Sequence, residues 1–199
     1  MSSKRFLFLF CALCLSLSIL GSGLLIADGA RGASARSNSQ GNEAKTPVAL
    51  VQQMARDNED VKQCVQENYH GSAAELAAAV DAEQTDLNHD GKPEYLVAVQ
   101  GACGGAANGP VFVYAQRGNG YTKLLDDIGQ DFTVKRTATG GYYDLQIGAH
   151  SSAIERELTV YKFSRGKYRI SQCTTQTYVG KRRGRDILKF KRHNCSDDR

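Results

Sequence analysis

The sequence lacks an internal repeat, which excludes a complete propeller, because each blade needs neighbours of its own kind to bury its faces. It also lacks a strong charge bias. Lysine and arginine number 25 against 21 aspartates and glutamates, too even a balance to imply a nucleic-acid partner. Tryptophan is absent and tyrosine numbers 9, mostly in strand-like segments where a packed ring with a wet hydroxyl is expected. Complete catalytic patterns are missing too. There is no Gly-x-Ser-x-Gly elbow, no Gly-Lys-Ser/Thr phosphate loop and, past residue 35, no Cys-x-x-Cys pair. A non-enzymatic binding or envelope-associated domain is therefore expected, with an extracytoplasmic hydrolase as the alternative. His150-Ser151-Ser152 is the stretch that this alternative rests on, and it has no assignable acid partner.

At the N-terminus, Lys4-Arg5 precedes an apolar stretch from Phe6 to Ile26, the charged and apolar regions of an export signal. Ala33-Ser34-Ala35 offers a cleavage site, so residues 1–35 read as a signal peptide and the mature chain as secreted or periplasmic. Left uncleaved, the same stretch is long enough to anchor the chain in a membrane. Cys11 and Cys14 within it read as apolar filler. Residues 36–45 are polar and aperiodic, a flexible linker. Residues 46–199 then form a single β-rich domain, for which 41% hydrophobic composition supplies a core.

The most informative stretch is Asp86-Leu87-Asn88-His89-Asp90-Gly91-Lys92-Pro93-Glu94, which leads directly into the apolar Tyr95–Val99. Calcium takes roughly six to eight oxygens at about 2.3 to 2.6 Å, so a chain can wrap it when oxygen-bearing side chains recur at alternate positions. Asp86, Asn88 and Asp90 recur in this way. Gly91 permits the sharp turn, the Lys92 carbonyl points inward and Glu94 closes the shell, which makes Ca²⁺ the expected cofactor. The loop is not an EF-hand, because Val97 stands where that motif has its bidentate glutamate and a strand pattern follows. It resembles instead the calcium loops of FG-GAP and VCBS-type repeats, as in integrin propeller blades, where such a run links two strands.

Around the loop, Thr46 reads as the N-cap of a helix with Pro47 in its first turn and Val48, Val51, Met54, Val61 and Val65 along one face, closed by Gly71. Ser72-Ala73-Ala74-Glu75 is a capping-box pattern opening a second, short helix before the strand that enters the loop. Beyond the loop, alternation separated by glycine turns predicts strands at 95–100, 111–116, 121–125, 132–136, 142–147, 158–163, 168–177 and 186–191. The fold class is α+β: a mostly antiparallel sheet with one or two N-terminal helices, stapled by disulfides.

Four cysteines remain in the mature chain, an even set for an oxidising compartment. The turn around residues 181–185 lies midway between Cys173 and Cys195 and favours that pair, which leaves Cys64 to bond Cys103. The glycine-rich run 101–110 then reads as a disulfide-anchored surface loop rather than an anion cradle, having no following helix. Lys181, Arg182, Arg183 and Arg185 concentrate positive charge at the last hairpin, with Lys189, Lys191 and Arg192 on the next strand. This cluster is a candidate anion site for an envelope or extracellular protein or polysaccharide, although such charges also discourage edge-to-edge strand pairing.

From Cys64 to Cys173 the pattern resembles secreted bacterial proteins of uncharacterised activity that carry a single loop of this type. The pieces that carry the likeness are the acidic loop itself, Gly101-Ala102-Cys103-Gly104-Gly105, Gly120-Tyr121 before Leu124-Leu125-Asp126, and Tyr161-Lys162-Phe163 before Gly166-Lys167-Tyr168. The resemblance implies a small extracytoplasmic β-rich domain and no particular activity.

Overall fold

Asn58 divides in two what the hydrophobic spacing predicts as one helical region. Its backbone is extended, its N–H closes α1 (Val48–Asp57) on the Met54 carbonyl, and its side-chain oxygen accepts the Val61 N–H at 3.0 Å to open α2 (Glu59–Asn68). An Asn at such a junction satisfies N–H groups that a helix start leaves open, and Glu59 and Asp60 add negative charge where the helix dipole favours it. Thr46 is not the cap expected of it. Pro47 occupies the cap position, and the Thr46 hydroxyl donates to the Val80 carbonyl, tying the start of α1 to the end of α3 (Ala73–Ala79). Ser72 does cap α3, accepting the Glu75 N–H at 3.3 Å.

The computed structural model describes residues 45–80 and 82–195. The signal-peptide reading of residues 1–35, and all of the linker except Lys45, lie outside the described residues. Among those described, no helix is long and apolar enough to cross a membrane.

The strands form two antiparallel sheets rather than one. The first has the order β1 (Ala82–Thr85), β2 (Glu94–Ala98), β3 (Gly109–Arg117), β4 (Gly120–Gly129); the second runs β5 (Asp131–Thr139), β6 (Tyr142–His150), β7 (Glu155–Ser164), β8 (Lys167–Arg182), β9 (Arg185–His193). Every neighbour in space is a neighbour in sequence, as in a meander.

Residues on β2 and β3 alternate between two cores. Tyr95, Val97, Phe112 and Tyr114 pack with the buried faces of the helices, including Leu50, Met54, Val61 and Leu76. Leu96, Val111, Val113 and Ala115 face the other way, onto Tyr142, Leu145, Ile147, Tyr161 and Tyr168 of the second sheet. The first sheet is thus the middle layer of three, and β3 is near-continuously apolar from Pro110 to Ala115 because neither face meets water there. Burying Phe112 alone contributes on the order of 1.5 to 3 kcal/mol. The tyrosine hydroxyls are less wet than the sequence predicts: Tyr114 Oη donates to Asp57 Oδ2 at 3.0 Å and Tyr168 Oη to the Tyr143 carbonyl at 2.8 Å. Burial pushes both phenols well above the usual range.

The glycine-rich loop begins with a one-turn 3₁₀ helix, Gly101–Cys103, whose cysteine lies at disulfide distance from Cys64 of α2, with Cα atoms 5.4 Å apart. Gly109 is required where the loop re-enters the sheet, because a Cβ there would collide with the Val99 carbonyl. Gly109→Ala should therefore cost about 2 kcal/mol, the scale of forcing an atom into a filled site. Urea titration checks this, and an unchanged midpoint would count against so close an approach of the two backbones.

Cys173 on β8 lies at disulfide distance from Cys195, just past β9, with Cα atoms 5.2 Å apart. β7 pairs with β8 only as far as Thr177, so the far end of the β8–β9 hairpin continues as a two-stranded ribbon turning at Arg183-Gly184. Every residue of β9 is exposed.

A candidate metal loop bridging the two sheets

β1 and β2 are consecutive antiparallel strands with Thr85 opposite Glu94, so the acidic run between them is a hairpin loop. Its side chains turn back on its own backbone. Asp86 accepts the Asp90 N–H on Oδ1 at 3.2 Å and the Gly91 N–H on Oδ2 at 2.9 Å, while Asn88 Oδ1 accepts the Asp90 N–H at 2.9 Å. Asp90 Oδ1 accepts the Lys92 N–H at 2.8 Å, and that bond, ahead of the nearby Arg117 charge, holds the Asp90 carboxyl below its ordinary value. Lys92 enters this network through its N–H. Asx side chains are suited to such turns because they accept from the backbone two residues on. His89 and Gly91 both take positive φ, 60° and 81°, the left-handed turn that glycine permits and histidine tolerates at some cost.

Glu94 differs from the other acids in being 1% exposed. Its Oε2 accepts the Leu87 N–H at 2.9 Å and its Oε1 the Asn88 Nδ2 at 3.3 Å, both uncharged donors. Desolvation, with Asp90 and Asp86 close by, pushes its carboxyl above the ordinary range. The Asn88 amide sits at the centre, with Nδ2 within reach of Asp90 Oδ2 at 3.1 Å, Glu94 Oε1 and Tyr142 Oη at 2.9 Å. Among the described residues, no group of three or more His, Cys, Asp or Glu side chains converges closely enough to hold a metal in this arrangement.

Protein-family models, curated proteins and solved structures give no match to this chain. Two contributors come from outside the loop and carry no local sequence signal. Arg117, at the end of β3, places Nη1 3.7 Å from Asp90 Oδ2 and donates from Nη2 to Tyr142 Oη at 3.0 Å. Tyr142, the first residue of β6, accepts from both Arg117 and Asn88, and its ring stacks on Phe163 at 3.8 Å.

The loop is also clamped from the second sheet. Tyr143 N–H donates to the Leu87 carbonyl at 2.8 Å, the Tyr143 ring meets His89 edge-on at 4.8 Å, and the Leu87 side chain is fully buried in the core between the sheets. Leu87, an x position of the motif, is thus the plug that seats the loop.

The other sequence candidates lie elsewhere. Lys181, Arg182, Arg183 and Arg185 surround the tip of the last hairpin, with Lys181 3.8 Å from Asp186. His150 engages through its backbone: its N–H donates to Asn108 Oδ1 at 2.7 Å and its carbonyl accepts from Asn108 Nδ2 at 2.8 Å. One amide side chain thereby imitates a strand residue and fastens the glycine-rich loop to the second sheet. Ser152 Oγ accepts the Glu155 N–H at 3.1 Å, the bond of a turn-forming serine.

Proposed function

We propose that this chain is an extracytoplasmic binding domain in which a calcium ion, held by Asp86, Asn88, Asp90, Glu94 and the Lys92 carbonyl, fixes the β1–β2 loop against the second sheet. The observation that carries this reading is Glu94, a carboxylate buried beside two others whose donors among the described residues, the Leu87 N–H and the Asn88 amide, are uncharged. A hard cation taking the place of the Asn88 NH₂ as partner of Asp90 and Glu94 would relieve that repulsion and supply the charge that burial lacks. Asp86, Asn88 and Asp90 are oxygen-bearing and partly open to solvent, which leaves an entry path. The role is structural: seated calcium would hold Leu87 in the core and Tyr142 and Tyr143 against the loop. The two cysteine pairs at disulfide distance support an oxidising, extracytoplasmic compartment, where calcium is plentiful.

An affinity on the order of 10⁻⁴ to 10⁻³ M is expected, the range of extracellular modules. Free calcium at about a hundredfold that value, binding only the folded form, should add about 2.7 kcal/mol. For a domain of this size that raises the melting temperature by about 5 to 10 °C. Calorimetry and melting curves in calcium and in chelator test it. The reading is overturned by no heat and no shift, or by an Asp90→Ala variant that responds to calcium as the parent does.

A further inference from the structure

Among the described residues, the β8–β9 hairpin has no third strand beyond Thr177, apart from the Tyr178 N–H, which donates to the Ile154 carbonyl at 2.7 Å. Its cross-strand register sets Tyr178 opposite Leu188 and Gly180 opposite Ile187, with Val179 the extra residue of a bulge between them. Tyr178, Val179, Ile187 and Leu188 are 36%, 44%, 39% and 39% exposed. Cross-strand partners share a face, so Leu188 and Tyr178 lie on one side and Ile187 on the other. Beyond them the tip carries Arg182, Arg183 and Arg185, all exposed. A two-stranded ribbon is marginal in water, and one with apolar side chains on both faces behind a cationic tip gains from an environment that covers both faces and is negatively charged at its surface.

We propose that this ribbon docks on an anionic lipid bilayer, the arginines among the headgroups and Tyr178, Val179, Ile187 and Leu188 in the interfacial region. Basic residues near an anionic leaflet and apolar area below it act together in this way. A soluble polyanion satisfies the arginines and leaves the apolar residues in water. An acidic strand added to the edge of β9 covers the edge and leaves both faces bare. A second copy of the chain brings like charges together. The bilayer is the occupant that matches both features, and the ribbon's role does not depend on the metal loop.

Because the chain has no tryptophan, Tyr178→Trp in the full chain gives one fluorophore at the ribbon, and its emission reports where the ribbon is even if the N-terminal apolar stretch also associates with lipid. With phosphatidylglycerol-containing vesicles its emission should shift to the blue and be quenched by brominated acyl chains. Phosphatidylcholine vesicles should produce neither effect. Replacing Arg182, Arg183 and Arg185 together by Gln should weaken the partition about a hundredfold, roughly fivefold per base. Ile187→Ser with Leu188→Ser should weaken it about tenfold with the charge intact. Both sets are exposed, so circular dichroism of each variant should match the parent. Absence of an anionic-lipid-specific shift overturns the proposal. So does an apolar variant that partitions like the parent, or tight binding of soluble polyglutamate that the Ile187→Ser and Leu188→Ser changes leave untouched; those results assign the ribbon to a polyanion or an acidic protein.

Discussion

Replacing Cys64 and Cys103 together by alanine should lower the stability of the folded chain by about 4 kcal/mol, the chain-entropy value for closing a loop of this sequence separation, 39 residues. The loss falls on a particular junction. α2 would no longer be tied to the 3₁₀ turn that follows β2, and the glycine-rich loop would rely on Asn108 and on the close approach of Gly109 to Val99. The bridge restricts the unfolded chain whether or not metal is bound, so the loss should be as large in chelator as in calcium. Denaturant titration of the double variant in both conditions measures it. A loss below about 1 kcal/mol, or one confined to calcium, would contradict this account of the bridge. The Cys173–Cys195 pair closes a shorter loop, 22 residues apart, so its removal should cost about 3 kcal/mol.

The second large effect is expected at Glu94. Glu94→Ala should cost about 3 kcal/mol, because it opens a cavity beside Leu87 and leaves the Leu87 N–H without its buried acceptor. Glu94→Gln keeps the volume and one acceptor, so in chelator it should cost far less while abolishing the response to calcium. The pH dependence separates the two states further. Burial, with Asp90 and Asp86 nearby, raises the Glu94 carboxyl, so the folded chain holds that proton more tightly than the unfolded one. Its contribution is therefore fully present below the unfolded carboxylate value and is lost as pH rises through the higher folded value. Metal-free parent should accordingly lose stability across that window relative to Glu94→Gln, and calcium should reverse the order. If the two proteins keep the same difference at every pH with and without calcium, Glu94 is a buried structural acid and no metal ligand.

Much of this architecture is legible in local pattern. Each of the eight strands expected after the loop is present, because Gly140-Gly141, Arg165-Gly166 and the other turns punctuate clear alternation. The cysteine pairs follow from hairpin symmetry about Arg183-Gly184, since the structure brings together the same partners. What escapes local reading depends on distant partners. The near-continuous apolar run at Pro110–Ala115 signals a strand covered on both faces, yet only the second sheet explains why. Asn58 reads as an ordinary polar position inside a helix until its extended backbone shows it to be a double cap. At the candidate site, the Asx ladder and Gly91 are visible in the nine residues themselves, whereas Arg117 and Tyr142 reach Asp90 and Asn88 from 27 and 54 positions away along the chain. Leu87 looks like a spacer in the motif and becomes the plug only because β6 passes over it.

The middle position of the first sheet also governs how the molecule comes apart. β2 and β3 give alternate side chains to two cores, Phe112 and Tyr114 to one and Val111 and Val113 to the other. If the helices peel away, one side of these strands is stripped; if the second sheet detaches, the other side is. Loss of either outer layer leaves the other core in place but exposes to water one whole face of the strands that build it, so the three layers stabilise one another and should melt in a single transition.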